Sequence, residues 1–282
     1  MMIKESFAAL GASARDLFRN WRGLLLLAAL YGLLLLSLYY FFAIGVANTW
    51  QLLVTALTAI ALLLFFLLQA AAANAALPEA TAGRIALRAP RDVLKVLLLT
   101  VPVAAVAVLF VYLLGKLPGW LPKVEEVQRY SSVGGERPVS LHWQEAFVSS
   151  MWLLLIGVVL PLVSAHLWLS AVRTGLKATL KGLHRVLGRA FAPRSVLVYA
   201  VGLFLFGLMP YFVFFTRTSL TNGWAELIVF GLRLAFVFVL TLVGWVVTLG
   251  ALARVTPPEV GPPVAVEPAP APEPAAEPQL QA

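Results

Sequence analysis

The chain has 282 residues, 61% of them hydrophobic and 12% charged, with a formal net charge of +8. At a mean hydropathy of +0.90, a water-soluble domain of this size would expose far more apolar surface than such domains tolerate. The absence of cysteine excludes disulfides, thiolate metal sites and thiol nucleophiles.

Residues 1–22 read as a cytoplasmic amphipathic segment: Ile3, Phe7, Leu10, Ala14, Leu17, Phe18 and Trp21 fall on one side of a helical wheel. A helix needs about 20 apolar residues to cross about 30 Å of hydrocarbon. Six segments qualify, near 23–47, 50–76, 93–115, 147–172, 195–216 and 225–252. Lipid offers no partner to backbone N–H and C=O groups, so the segments must be helices or closed barrel strands. Leu24 to Leu36 lacks the alternation of a barrel strand. The first segment is too long, and its leader too mixed in charge, for a cleaved signal peptide. The expected fold is therefore all-α: a polytopic membrane domain over 23–255, six transmembrane helices arranged as three hairpins, with basic interfacial helices on the cytoplasmic side.

The second segment ends in Gln69-Ala70-Ala71-Ala72-Ala73-Asn74. Small residues let helices approach closely, and Gln69 or Asn74 can bond across such a contact. Pro90 and Pro193, in Ala89-Pro90-Arg91-Asp92 and Ala192-Pro193-Arg194-Ser195, are placed at the openings of the third and fifth helices. A first helical position suits proline, whose missing N–H would be unpaired there, and Asp92 or Ser195 would cap neighbouring donors. The exterior turns carry Asn48 and Asn222-Gly223, flanked by Trp50 and Trp224 at headgroup level. The middle hairpin carries a longer exterior loop, 116–146, read as a connector. Pro102, Pro161 and Pro210 are expected to interrupt helices and free carbonyls that could line a cavity.

Fifteen Lys and Arg lie before the first, third and fifth helices and after the sixth; five lie on the other side. The positive-inside bias predicts a multi-pass protein of a bacterial-type plasma (inner) membrane with cytoplasmic N- and C-termini. The densest run is a predicted cytoplasmic helix at 173–194. Arg173, Lys177, Lys181, Arg185 and Arg189 recur every fourth residue opposite Leu176, Leu180, Leu183 and Leu187. Such a helix lies in the interface with its cations toward anionic headgroups, each contributing about 1 kcal/mol. Lipid recognition and simple orientation of the protein are both open readings of it.

Arg233 stands alone, about eight residues into the sixth segment. Either it snorkels outward, toward Glu226, or it forms an anion or lipid-phosphate site. No carboxylate is expected deep in the membrane, which disfavours proton-coupled transport. His142, His166 and His184 fall at different depths, so no shared metal site is expected, and no catalytic motif occurs. After Arg254, residues 256–282 hold nine of the 18 prolines, four glutamates and no Lys or Arg, the composition of a solvated, disordered tail.

Asn20-Trp21-Arg22 leading into a Leu-rich helix, and the Gly182–Arg194 basic run before the fifth, resemble bacterial six-helix membrane modules. These include the membrane domain attached to some glycerophosphoryl diester phosphodiesterases and related families without assigned activity. The resemblance covers roughly 1–255 and implies a six-helix body. The phosphodiesterase catalytic barrel is absent here, so neither hydrolytic activity nor catalytic residues carry over. The expected role is a non-catalytic scaffold or accessory module, without cofactor, that engages anionic membrane lipids or a protein partner and not nucleic acid. The alternative is a carrier or export component for a lipid or anionic amphiphile, using Arg233.

Overall fold

The computed structural model describes residues 2–43, 49–57, 60–78, 80–116, 143–216 and 222–256, and every regular element among them is helical. Helix α1 (Met2–Arg19) closes at Asn20, whose side-chain Oδ1 accepts from Gly23 N at 3.2 Å and so caps α2 (Trp21–Ala43). Asn20 Nδ2 also donates to the Ala80 carbonyl at 2.9 Å, tying this joint to the connection between α4 (Ile60–Ala75) and α5 (Ala82–Lys116). Helix α3 (Thr49–Leu57) precedes α4. Helix α6 (Trp143–Leu154) runs through a π-turn at Leu155–Val159 into α7 (Leu160–Thr174). Two short helices follow, α8 (Leu176–Lys181) and α9 (Leu183–Ala190). Then α10 (Pro193–Leu203) continues through a second π-turn, Phe204–Leu208, into α11 (Met209–Phe215). Helix α12 (Gly223–Val255) is capped by Asn222, which accepts from Trp224 N at 3.0 Å.

Five stretches are long and apolar enough to cross a membrane: Trp21–Ala43, Ala82–Lys116, Ala146–Thr174, Pro193–Phe215 and Gly223–Val255. The span expected at 50–76 is described as α3 and α4 on either side of residues 58–59, and α4 alone is a shorter apolar helix. Most of the exterior loop expected at 116–146, and the tail beyond Thr256, lie outside the described residues.

The two Ala-Pro-Arg sequences have different fates. Pro193 opens α10 as expected, after an extended Ala192 (φ −60°, ψ 139°). Pro90 instead lies inside α5, which starts eight residues earlier at Ala82. Thr81 supplies that start: its carbonyl accepts from Ile85 N at 2.9 Å and its Oγ1 from Arg84 N at 3.4 Å. Ile85 and Ala89 are buried against the bundle, so packing carries the helix through a proline that removes one bond. Asp92 therefore sits in the third turn of α5, buried, rather than at a helix entry.

Pro161 shows how an interrupted ladder is repaired. In an α-helix its N–H would bond the Gly157 carbonyl, but proline has no N–H. The π-turn widens the backbone there, a device common in single turns, and Tyr199 of α10 donates its hydroxyl to the Gly157 carbonyl at 2.7 Å. The released group is thus filled by a neighbouring helix and not left to line a cavity. Pro102 does not end α5, which continues to Lys116.

The packed core gathers at one end. Leu68–Asn74 of α4, Leu162–Leu169 of α7 and Val246–Ala253 of α12 are continuously buried. No residue of 223–241 is buried, and the last turns of α2 and α5 are largely exposed. Close approach at the packed end depends on glycine. A Cβ on Gly244 would overlap Phe206, and one on Gly250 would overlap Ser13 of α1.

Candidate functional site at the basic end

The packed end is knitted by polar side chains on apolar helices. Trp245 Nε1 of α12 donates to Gln69 Oε1 of α4 at 2.7 Å. Asn74 Nδ2 donates to Asp92 Oδ2 at 3.0 Å, and Lys95 Nζ to Asp92 Oδ1 at 2.6 Å. Trp168 Nε1 of α7 reaches Thr100 Oγ1 of α5 at 2.9 Å. Both amides expected to bond across the α4 contact do so. The buried carboxylate of Asp92 was not foreseen, because only the early start of α5 brings it opposite Asn74.

Around this end lies a half-open cavity of about 1280 Å³. Helix α1 and its joint form one wall, the Ala75–Thr81 connection and first turns of α5 another, and the ends of α7 and α12 close it. Its described lining contains five arginines, Arg19, Arg84, Arg88, Arg173 and Arg254, with Asp16 as the one acidic side chain. Leu17, Val172 and Val246 supply an apolar part.

The arginines are not equivalent. Arg173 forks onto the end of α12, donating from Nη2 to the Ala253 carbonyl at 2.6 Å and from Nη1 to the Thr256 carbonyl at 3.0 Å. These are last-turn carbonyls without intrahelical partners, and a cation there also opposes the helix dipole. Arg254 pairs with Asp16 of α1. At the far end of α1, Glu5 lies 3.4 Å from Arg194 of α10; α1 is thereby held across the start of α10 and the close of α12. Arg19 and Arg88 are exposed and have no ion-pair partner among the described residues.

Of the lipid- or anion-binding candidates singled out from sequence, Arg173 alone lines this cavity. Lys177, Lys181, Arg185 and Arg189 lie beyond it on α8 and α9. The single helix expected at 173–194 is divided: Gly175 turns the chain with φ +88°, and Gly182 breaks it again. Thr179 Oγ1 lies 3.0 Å from Ser170 Oγ and donates to the Gly175 carbonyl at 2.9 Å, folding α8 back on α7. A wheel of 100° per residue does not survive two such breaks. The buried residues are accordingly Thr179, Val186 and Ala190, while Leu180 and Leu183 are exposed.

Arg233 faces the opposite end, where Nη1 donates to the Thr216 carbonyl at the close of α11. It caps a neighbouring helix, as Arg173 does, and does not bond to Glu226. His166 is buried, and its Nε2 has no hydrogen-bond partner among the described residues; His142 lies outside them, and no cluster of potential metal ligands occurs among those described. The missed members of the cavity, Arg19, Arg84, Arg88 and Arg254, were legible only as topological charge. The spacing of Arg84 and Arg88 by one helical turn was the available clue to a shared face.

Apolar helices of membrane-spanning length, held together at one end around an arginine-lined cavity, define a multi-pass membrane protein. No family model, curated protein or solved structure matches the chain.

Proposed function

We propose that the chain is a non-catalytic module of a bacterial-type plasma membrane that binds anionic lipid at its cytoplasmic face and serves as a scaffold or accessory subunit. In this reading it crosses six times as three hairpins, α3 and α4 together making the second crossing. Both termini are cytoplasmic, because the excess of Lys and Arg lies at the end holding α1, the α4–α5 connection, α8, α9 and the close of α12. The observation that carries the reading is the cavity, where five guanidinium groups meet apolar Leu17, Val172 and Val246. A cation-rich wall beside an apolar one, at the ends of membrane helices, complements an amphiphile with a negative head. The carrier alternative gains nothing from Arg233, which has a helix-capping task at Thr216.

Native mass spectrometry of the full chain released from mild detergent tests the function. Retention of anionic over zwitterionic lipid is expected; bare protein, or indifferent adducts, would overturn the reading. Topology has its own check, since the chain has no cysteine. Single cysteines at Ser131 and Gln279 should react with a membrane-impermeant maleimide from opposite sides.

A further inference from the structure

We propose that the basic-end cavity selects a lipid phosphomonoester, a headgroup of nearly two negative charges on one phosphorus, over singly charged phosphodiester lipids. The inference rests on the anionic-lipid reading above and deepens it. Charge is the first argument. The described lining carries five cations and one carboxylate. Asp16 is taken by Arg254, and the Arg173 fork is engaged on the Ala253 and Thr256 carbonyls. Arg19 and Arg88 then bring charge into the same half-enclosed volume from α1 and α5 with no ion-pair partner among the described residues. A monoanion would leave that wall positive, whereas a phosphomonoester, at about −1.5 to −2 near pH 7, balances two guanidinium groups.

The second argument is side-chain type. The cations of the described lining are all arginine, with no lysine among them. Arginine presents donors in a planar fork that matches pairs of phosphate oxygens. A phosphomonoester offers three terminal oxygens, enough to receive forks from more than one direction, while a phosphodiester offers two. Size is the third. About 1280 Å³ is far more than a lone phosphate fills, and the apolar lining from Leu17, Val172 and Val246 suits the glycerol and first acyl carbons of a lipid.

The test is equilibrium binding to the full chain in lipid nanodiscs of stated composition. The guest lipids are phosphatidate, phosphatidylglycerol and cardiolipin in a phosphatidylcholine background, and inorganic phosphate is a soluble competitor. Phosphatidate is expected to bind at least about fivefold more tightly than phosphatidylglycerol at pH 7.5, one further charge near the site being worth about that factor. The preference should shrink toward pH 5.5 as the phosphate, with a second pKa near 6, takes up a proton. Among the described residues, the charged groups facing the cavity are Asp16 and Arg19 from α1, Arg84 and Arg88 from α5, Arg173 from α7 and Arg254 from α12. Phosphatidylglycerol, a phosphodiester with no second ionisation, serves as the flat control, so a pH response confined to phosphatidate reports the ligand.

Arg19→Gln and Arg88→Gln should each lower phosphatidate affinity about fivefold, Arg19→Lys by less, and Lys116→Gln at the opposite end not at all, with thermal unfolding unchanged in each. Equal binding of phosphatidate and phosphatidylglycerol, or a pH-independent preference for cardiolipin, would overturn the phosphomonoester inference and leave the anionic-lipid reading standing. Failure to distinguish any anionic lipid from phosphatidylcholine would overturn both. Displacement of phosphatidate by millimolar inorganic phosphate would assign the site to a soluble phosphomonoester and remove the lipid from the proposal.

Discussion

The two ends of the helix bundle are built from similar letters and behave differently. At the basic end, Val246–Ala253 of α12 is buried without a break and is joined to other helices by Trp245 to Gln69 and Gly250 to Ser13. In the same helix, 223–241 is also predominantly apolar and contains no buried residue. Hydrophobicity alone cannot separate the halves, because lipid tails solvate leucine as well as another helix does. Association in lipid needs close backbone approach and directed polar bonds, and those are concentrated at the basic end.

The largest effect should come from closing the space that glycine leaves. Gly244→Leu, which would drive a side chain into Phe206, should destabilise by about 3 kcal/mol. Gly231→Leu, whose Cβ meets nothing within 4 Å, should leave the unfolding temperature in detergent unchanged. Equal losses at both positions would remove the contrast between the ends. Next comes Asp92→Ala, which leaves the Asn74 amide only its bond to the Ala70 carbonyl and strands the half-exposed Lys95; about 2 kcal/mol is expected, and Asp92→Asn should recover part of it. Tyr199→Phe, which leaves the Gly157 carbonyl unfilled beside Pro161, should cost about 1 kcal/mol, measured by the same unfolding assay. Smallest is Arg233→Gln at the loose end. Its bond to the Thr216 carbonyl is exposed, so a loss under about 1 kcal/mol is expected, with lipid retention unchanged. A loss of lipid retention in Arg233→Gln would restore the far end as a candidate binding region.

Local sequence was a good guide wherever the physics is local. Pro193 opens α10 as read, because the residues that decide such a start lie within a few positions. Gln69 and Asn74 announced a helix contact because an amide amid alanines has few other uses in lipid. The helix start read at Ala89-Pro90-Arg91-Asp92 and the continuity of the helix read at 173–194 failed for the complementary reason. Burial of Ile85 and Ala89 holds Pro90 inside α5, and Gly182 breaks a leucine pattern that a wheel treats as continuous. The cavity had no local signature, since its arginines come from four elements far apart in sequence.

By itself the sequence determined the solvent of this protein and the secondary structure that solvent permits. Both follow from sums over about 20 neighbouring residues against the thickness of a bilayer. Tertiary structure alone decided what each charge does: Arg173 and Arg233 close foreign helices, Asp92 is buried opposite Asn74, and Arg19 and Arg88 are brought to one cavity. An ion's role depends on what lies within a few ångströms of it, and chain folding, not neighbourhood in sequence, sets that distance.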